Sequence, residues 1–188
     1  MSTTEFPAIA VSVAPTMQPL TIAEGRRILR LAPSETGHDQ AISELIQASA
    51  EQFLTDTGIV LINTTYTHTV DCFSDPMQLT HRPISSITSV KYYDSANAQQ
   101  TLASSVYVLD VSRQQVRLKP DQSWPAIYSR WDAVEVKYVA GEGATQASVS
   151  ETYRQALALR MRYDFDGDEF HLRAYENLIM RYLRSSYP

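Results

Sequence analysis

The sequence is short of the residues from which small proteins usually build chemistry. One cysteine, Cys72, stands in 188 residues, which excludes an intrachain disulfide and any multi-cysteine zinc cage. Only six glycines occur, with no phosphate-binding glycine loop, no Gly-x-Gly-x-x-Gly string and no Gly-x-Ser-x-Gly elbow. His38, His68, His81 and His171 have no zinc-ligand spacing. Cys72 follows His68 by four positions, which in a strand leaves them about two strand repeats apart, so Cys72 reads as a core residue. No uncharged run is long enough for a spanning helix, so no membrane contact is expected. The first stretch has no Lys or Arg before Arg26 and is broken by Pro7, Pro15 and Pro19, unlike a secretory signal. Acidic residues outnumber basic ones by 21 to 16, a net charge of −5, which argues against a DNA-coating protein. No catalytic residue, metal or cofactor is expected.

What is present is an ordinary soluble balance, 44% hydrophobic and 20% charged, enough for a sizeable core. The pattern predicts an α+β chain in which an antiparallel β insertion separates two helical pairs, packed as one compact unit. Residues 1–19 read as an extended arm, either docked on a neighbouring subunit or frayed. Residues 20–58 read as a helical hairpin. It opens on a Thr21/Glu24 capping box and its first helix stops at Pro33; Asp39 caps the second, which Gly58 closes. Ile42, Leu45, Ile46, Phe53 and Leu54 give that second helix its apolar face.

Residues 59–143 read as the β insertion. Strands are predicted across 59–72, with Ile62, Thr64, Tyr66, His68 and Val70 on one face, and at Ile87–Tyr93, Val106–Val111, Gln115–Leu118 and Val134–Val139. Short gaps such as Asp94–Asn97 and Ser112–Arg113 favour a meander over βαβ units. Residues 144–188 read as two further helices and a tail, opened by a second capping box of Ser148 and Glu151.

Two features carry candidate sites. Asp164, Asp166 and Asp168 alternate like the start of a calcium-binding EF-hand loop, but Glu169 stands where the glycine belongs and Tyr175 where the bidentate glutamate belongs. An acidic turn in which Asp166 or Asp168 caps the last helix is the reading preferred over calcium. Eleven tyrosines, and a last helix and tail holding Tyr175, Arg181, Tyr182, Arg184 and Tyr187, supply the residue types that anchor protein interfaces.

A series of short motifs follows in order along the chain. It runs Pro19-Leu-Thr-Ile-Ala-Glu24, Leu45-Ile-Gln-Ala48, Thr57-Gly58, His81-Arg-Pro-Ile84 and Ile87-Thr-Ser-Val-Lys-Tyr-Tyr-Asp94. Tyr107-Val-Leu-Asp110, Val116-Arg-Leu118, Ser123-Trp-Pro125, Val134-Glu-Val-Lys-Tyr-Val-Ala-Gly141 and Gln155-Ala156 complete it. The series resembles the head–tail connector, or adaptor, proteins of tailed bacteriophages and gene-transfer-agent particles, across residues 17–163. The chain departs from that pattern after the third helix. There Tyr163-Asp-Phe-Asp-Gly-Asp168 leads into a further full helix instead of a Tyr-x-x-Arg-Glu-like ending.

The resemblance implies a virion protein without catalytic residues, made in the host cytoplasm and located in the neck. It implies a ring of about twelve copies beneath the portal protein, through which genomic DNA passes without sequence-specific binding. A stopper or tail-terminator protein would dock on its far side, and the last helix and tail would engage the portal. A different neck component, such as a stopper or tail-completion protein, is the alternative. A small hydrolase or ligand-binding module would need paired carboxylates or a metal that the sequence does not offer.

Overall fold

The computed structural model describes residues 8–184. They form a mixed α+β chain with four α-helices and two antiparallel sheets. The chain divides into two units, one from residues 8–14 and 64–141 and the other from residues 15–63 and 142–184.

The first unit is built on strands. β1 (Ala8–Val13), β2 (Thr64–Val70), β3 (Met77–Gln78), β4 (Ile84–Tyr93), β5 (Gln99–Thr101), β6 (Tyr107–Asp110), β7 (Gln115–Leu118) and β8 (Val134–Ala140) follow in chain order. One sheet has the order β1-β2-β8-β4-β5 and the other β3-β7-β6. The simple meander is therefore corrected: β8 lies between β2 and β4, so the last strand fills the centre of the larger sheet. Its period-two pattern explains the position. Val134, Val136, Tyr138 and Ala140 are fully buried on one face, while Glu135 and Lys137 alternate with them. In register, Tyr66 faces Tyr138 and His68 faces Val136 across β2 and β8.

Part of the supposed arm is a strand of this same sheet, since β1 pairs antiparallel with β2 from Ala8↔Thr69 to Val13↔Thr65. The strand predicted at 59–72 starts only at Thr64. Ile59, Leu61 and Ile62 instead join the hydrophobic core of the helical unit. An apolar run with β-branched side chains suits either environment, and tertiary packing decides it here.

The second unit contains α1 (Ile22–Ile28), α2 (Asp39–Thr57), α3 (Glu151–Asp166) and α4 (Glu169–Arg184). Ile42, Ile46, Ser49, Phe53 and Thr57 recur every three or four residues along α2 and are buried. They meet Leu157 and Met161 of α3 and Tyr175 and Ile179 of α4 in one cluster. Each buried Leu, Ile or Phe contributes about 1.5–3 kcal/mol of transfer free energy.

Helix ends follow the sequence in part. The Thr21/Glu24 capping box forms, with the Glu24 carboxylate accepting the Thr21 N–H at 2.8 Å and the Thr21 hydroxyl accepting the Glu24 N–H at 3.1 Å. Gly58, at φ 69°, closes α2 as expected. Three assignments need correction. The first helix ends at Ile28 rather than at Pro33: Arg30 turns to φ 60°, and the Leu31 N–H reaches the Arg26 carbonyl at 2.9 Å in a Schellman closure. Asp39 is the first residue of α2, and its carboxylate binds the Arg26 guanidinium instead of capping. Ser150, not Ser148, caps α3 by accepting the Tyr153 N–H.

Candidate partner interface

Among the proposed interface residues, Tyr175 belongs to the core. It is 1% exposed, and its hydroxyl donates to Asp56 Oδ2 at 2.6 Å while Gln52 donates to Asp56 Oδ1 at 2.7 Å. Burial, reinforced by the Asp56 carboxylate, pushes the phenol well above its ordinary value, so it remains a donor. The reason is periodic: Tyr175 and Ile179 form the buried i, i+4 stripe of α4. Tyr182 is half-buried, its ring edge-on to Tyr153 at 5.2 Å. The Arg181 and Arg184 side chains, and Tyr187 altogether, lie outside the described residues.

The acidic turn is held by its own backbone. Gly167 closes α3 at φ 71°. Asp166 Oδ1 accepts the Asp168 N–H at 2.9 Å and lies 3.5 Å from His171 Nδ1. Asp168 Oδ1 accepts the Phe170 N–H at 2.9 Å, a cap on the first turn of α4. Both Asp164 oxygens accept from Arg160 Nε at 3.0 Å. Each of the three candidate carboxylates thus has a local partner. Among the described residues no group of three or more His, Cys, Asp or Glu is placed to hold a metal ion. Phe165 and Phe170, which flank this turn, are 55% and 70% exposed; the sequence reading passed over them.

The strand unit contains a buried polar cluster that sequence spacing does not reveal. His68 is 2% exposed, with Ile9 and Val136 as its register neighbours. Burial and the nearby His81 push its pKa down to about 4. His81 stacks on Tyr66 with ring centroids 4.2 Å apart, and burial lowers its pKa too. The His81 backbone N–H donates to the Tyr138 hydroxyl oxygen at 3.4 Å, while burial raises that phenol to about 12. Burial thus favours the neutral form of both imidazoles near pH 7.

Cys72 is exposed rather than buried, because β2 ends at Val70 and the alternation ends with it. Trp131 is 83% exposed on the segment before β8. The adjoining Arg130 lies 4.0 Å above the Tyr93 ring and helps to line a hollow of about 150 Å³ with Lys91, Gln99 and Glu135. That hollow mixes both charge signs, with Lys91 and Glu135 as cross-strand register partners. No helix among the described residues is long and apolar enough to cross a membrane. The described geometry is thus one of surfaces: exposed aromatics, an acidic turn and sheet edges.

Known structures with this fold exist. The chain is similar to chains of gene transfer agent particles. One belongs to the structure described as "Neck of empty GTA particle computed with C6 symmetry": the TM-score is 0.74 at 23% identity, covering 93% of this chain and 94% of that one. Another belongs to "Neck of native GTA particle computed with C12 symmetry", with a TM-score of 0.70 at 22% identity, covering 95% and 94%. A third, from "Virion of native gene transfer agent (GTA) particle", has a TM-score of 0.67 at 23% identity and covers 83% of each chain. No family model matches the sequence, and no curated protein matches it. At such identities the likeness is one of fold.

Proposed function

We propose that this chain is a structural, non-enzymatic neck protein of a tailed particle. Within the neck we assign it the adaptor role, a ring beneath the portal that extends the DNA channel and receives a stopper or tail-terminator protein. The observation that carries the reading is the likeness to a chain of a particle neck at a TM-score of 0.74, over 93% of this chain and 94% of the other. Near-complete coverage on both sides means that both the helical and the strand segments take part in the likeness.

The symmetry of the similar necks, described as C6 and C12, supports the ring. A heterologous contact that closes by rotation generates such a ring. We place the helical pairs in its body and the strand loops outward or toward the tail, and the protein in the virion neck after synthesis in the host cytoplasm. Charge fits passage of DNA. With −5 per chain, about twelve copies carry roughly −60, and a channel wall of that sign would make no counterion-releasing phosphate contacts. Cryo-electron microscopy of purified portal mixed with this protein tests the reading: added ring density beneath the portal is expected, and its absence refutes the adaptor role.

A further inference from the structure

We infer that the α3–α4 turn of one copy docks on the β6 edge of the next, by joining apolar patches of opposite surrounding charge. This rests on the ring reading above and names the surfaces that would close it. The first patch is Phe165 and Phe170, 55% and 70% exposed, on a turn whose backbone is fixed by the Asp166 and Asp168 hydrogen bonds. Two phenyl rings flanking a turn with a fixed backbone gain by burial at a lower ordering cost than rings on a loose loop. Around them in sequence stand Asp164, Asp166, Asp168 and Glu169, four carboxylates against the cations Arg160, paired with Asp164, and exposed Arg173. The tip is therefore apolar with a negative rim.

The second patch lies on β6, the outer strand of the three-stranded sheet. Val108 is 45% exposed, and Val111, in the turn after β6, is 60% exposed. Arg117 sits opposite Val108 in register. Asp110 is the single carboxylate shared by Arg113 at 3.3 Å and Arg117 at 3.8 Å, whose side chains are 68% and 45% exposed. One carboxylate between two guanidiniums leaves the patch positive. Each patch thus offers what the other lacks, apolar area beneath charge of the opposite sign, and like patches would repel. A contact between two different surfaces of one chain is heterologous, the type that closes rings.

Two variants, both at exposed positions, test the pairing. Phe165→Ser/Phe170→Ser removes the tip, and Val111→Ser/Arg113→Glu removes the β6 patch. In analytical ultracentrifugation up to millimolar protein, the wild type is expected to self-associate, and each variant to do so about a hundredfold or more weakly. Mixed together, the variants should form a dimer and nothing larger, because one intact surface of each remains. A monomeric wild type, a tip variant that associates like the wild type, or a mixture that stays monomeric overturns the contact. Portal binding separates this from the reading beneath it. If wild type and tip variant add the same ring density to portal, the contact is wrong and the adaptor role stands. If wild type adds none, the adaptor role fails. A tip variant that alone loses portal density, with the wild type monomeric in solution, overturns the self-contact and assigns the tip to the portal.

Discussion

Lowering the pH from 8 to 5 should destabilise the strand unit by about 2 kcal/mol through His68 alone. In the fold this imidazole has its pKa pushed from 6.5 to about 4, by burial first and His81 second. The unfolded chain therefore binds a proton between those values while the folded chain does not, so stability falls as pH falls through that window. The whole shift of roughly 2.5 units corresponds to about 3 kcal/mol, and about two-thirds of it is lost by pH 5. Burial lowers His81 as well, which adds in the same direction. Asp94 and Asp110 of this unit are held below 3.8 by hydrogen bonds and act only at lower pH. Both tryptophans, Trp124 and Trp131, lie in the strand unit, so tryptophan fluorescence during urea unfolding reads that unit selectively. The expected result is a urea midpoint that drops between pH 8 and pH 5 in wild type and drops much less in His68→Gln, whatever the variant's absolute stability. Equal midpoints at both pH values, or identical slopes in the two proteins, would refute the argument.

Two further substitutions probe the helical unit by far-UV circular dichroism during thermal unfolding. Gly25→Ala should lower Tm despite better helix propensity, because an added Cβ would stand 2.4 Å from Ile42 Cγ2. Overpacking of about 1–3 kcal/mol then outweighs a helix gain of at most about 1 kcal/mol, and a raised Tm contradicts that close approach. Tyr175→Phe should cost about 1–2 kcal/mol by removing the donor to Asp56, and an unchanged Tm means that this hydrogen bond adds nothing net.

The legible parts of the fold were those governed by local chemistry. The Thr21/Glu24 box and Gly58 were readable because each satisfies backbone groups within one turn. Gln115–Leu118 was predicted at its observed bounds, and β8 to within one residue. What failed depended on distant partners. Nothing near Ile59–Ile62 says that helices, not strands, will cover it. Nothing near β8 says that it will separate β2 from β4. Arg30 ends α1 in a left-handed conformation usually given to glycine, which leaves Pro33 as the nearest stop signal visible in the sequence.

The candidate interface was least legible for a related reason. Residue type selected Tyr175 as an anchor, yet the property that makes tyrosine good at interfaces, apolar area with a polar tip, also fits it to a core with one buried acceptor. Asp56 is that acceptor, 119 residues away in sequence. Among the described residues the exposed aromatics are instead Phe165 and Phe170, in the end turns of α3 and α4, and Tyr128 and Trp131, in the connection before β8. On the proposed neck role, apolar side chains stay uncovered until a partner arrives, and local pattern rules read such residues as errors or as core. Leaving the phenylalanines within a negative rim limits the cost, since copies cannot pair tip to tip without bringing like charges together. The surface that relieves the exposure has then to be both apolar and positive, which the β6 edge of the same chain provides.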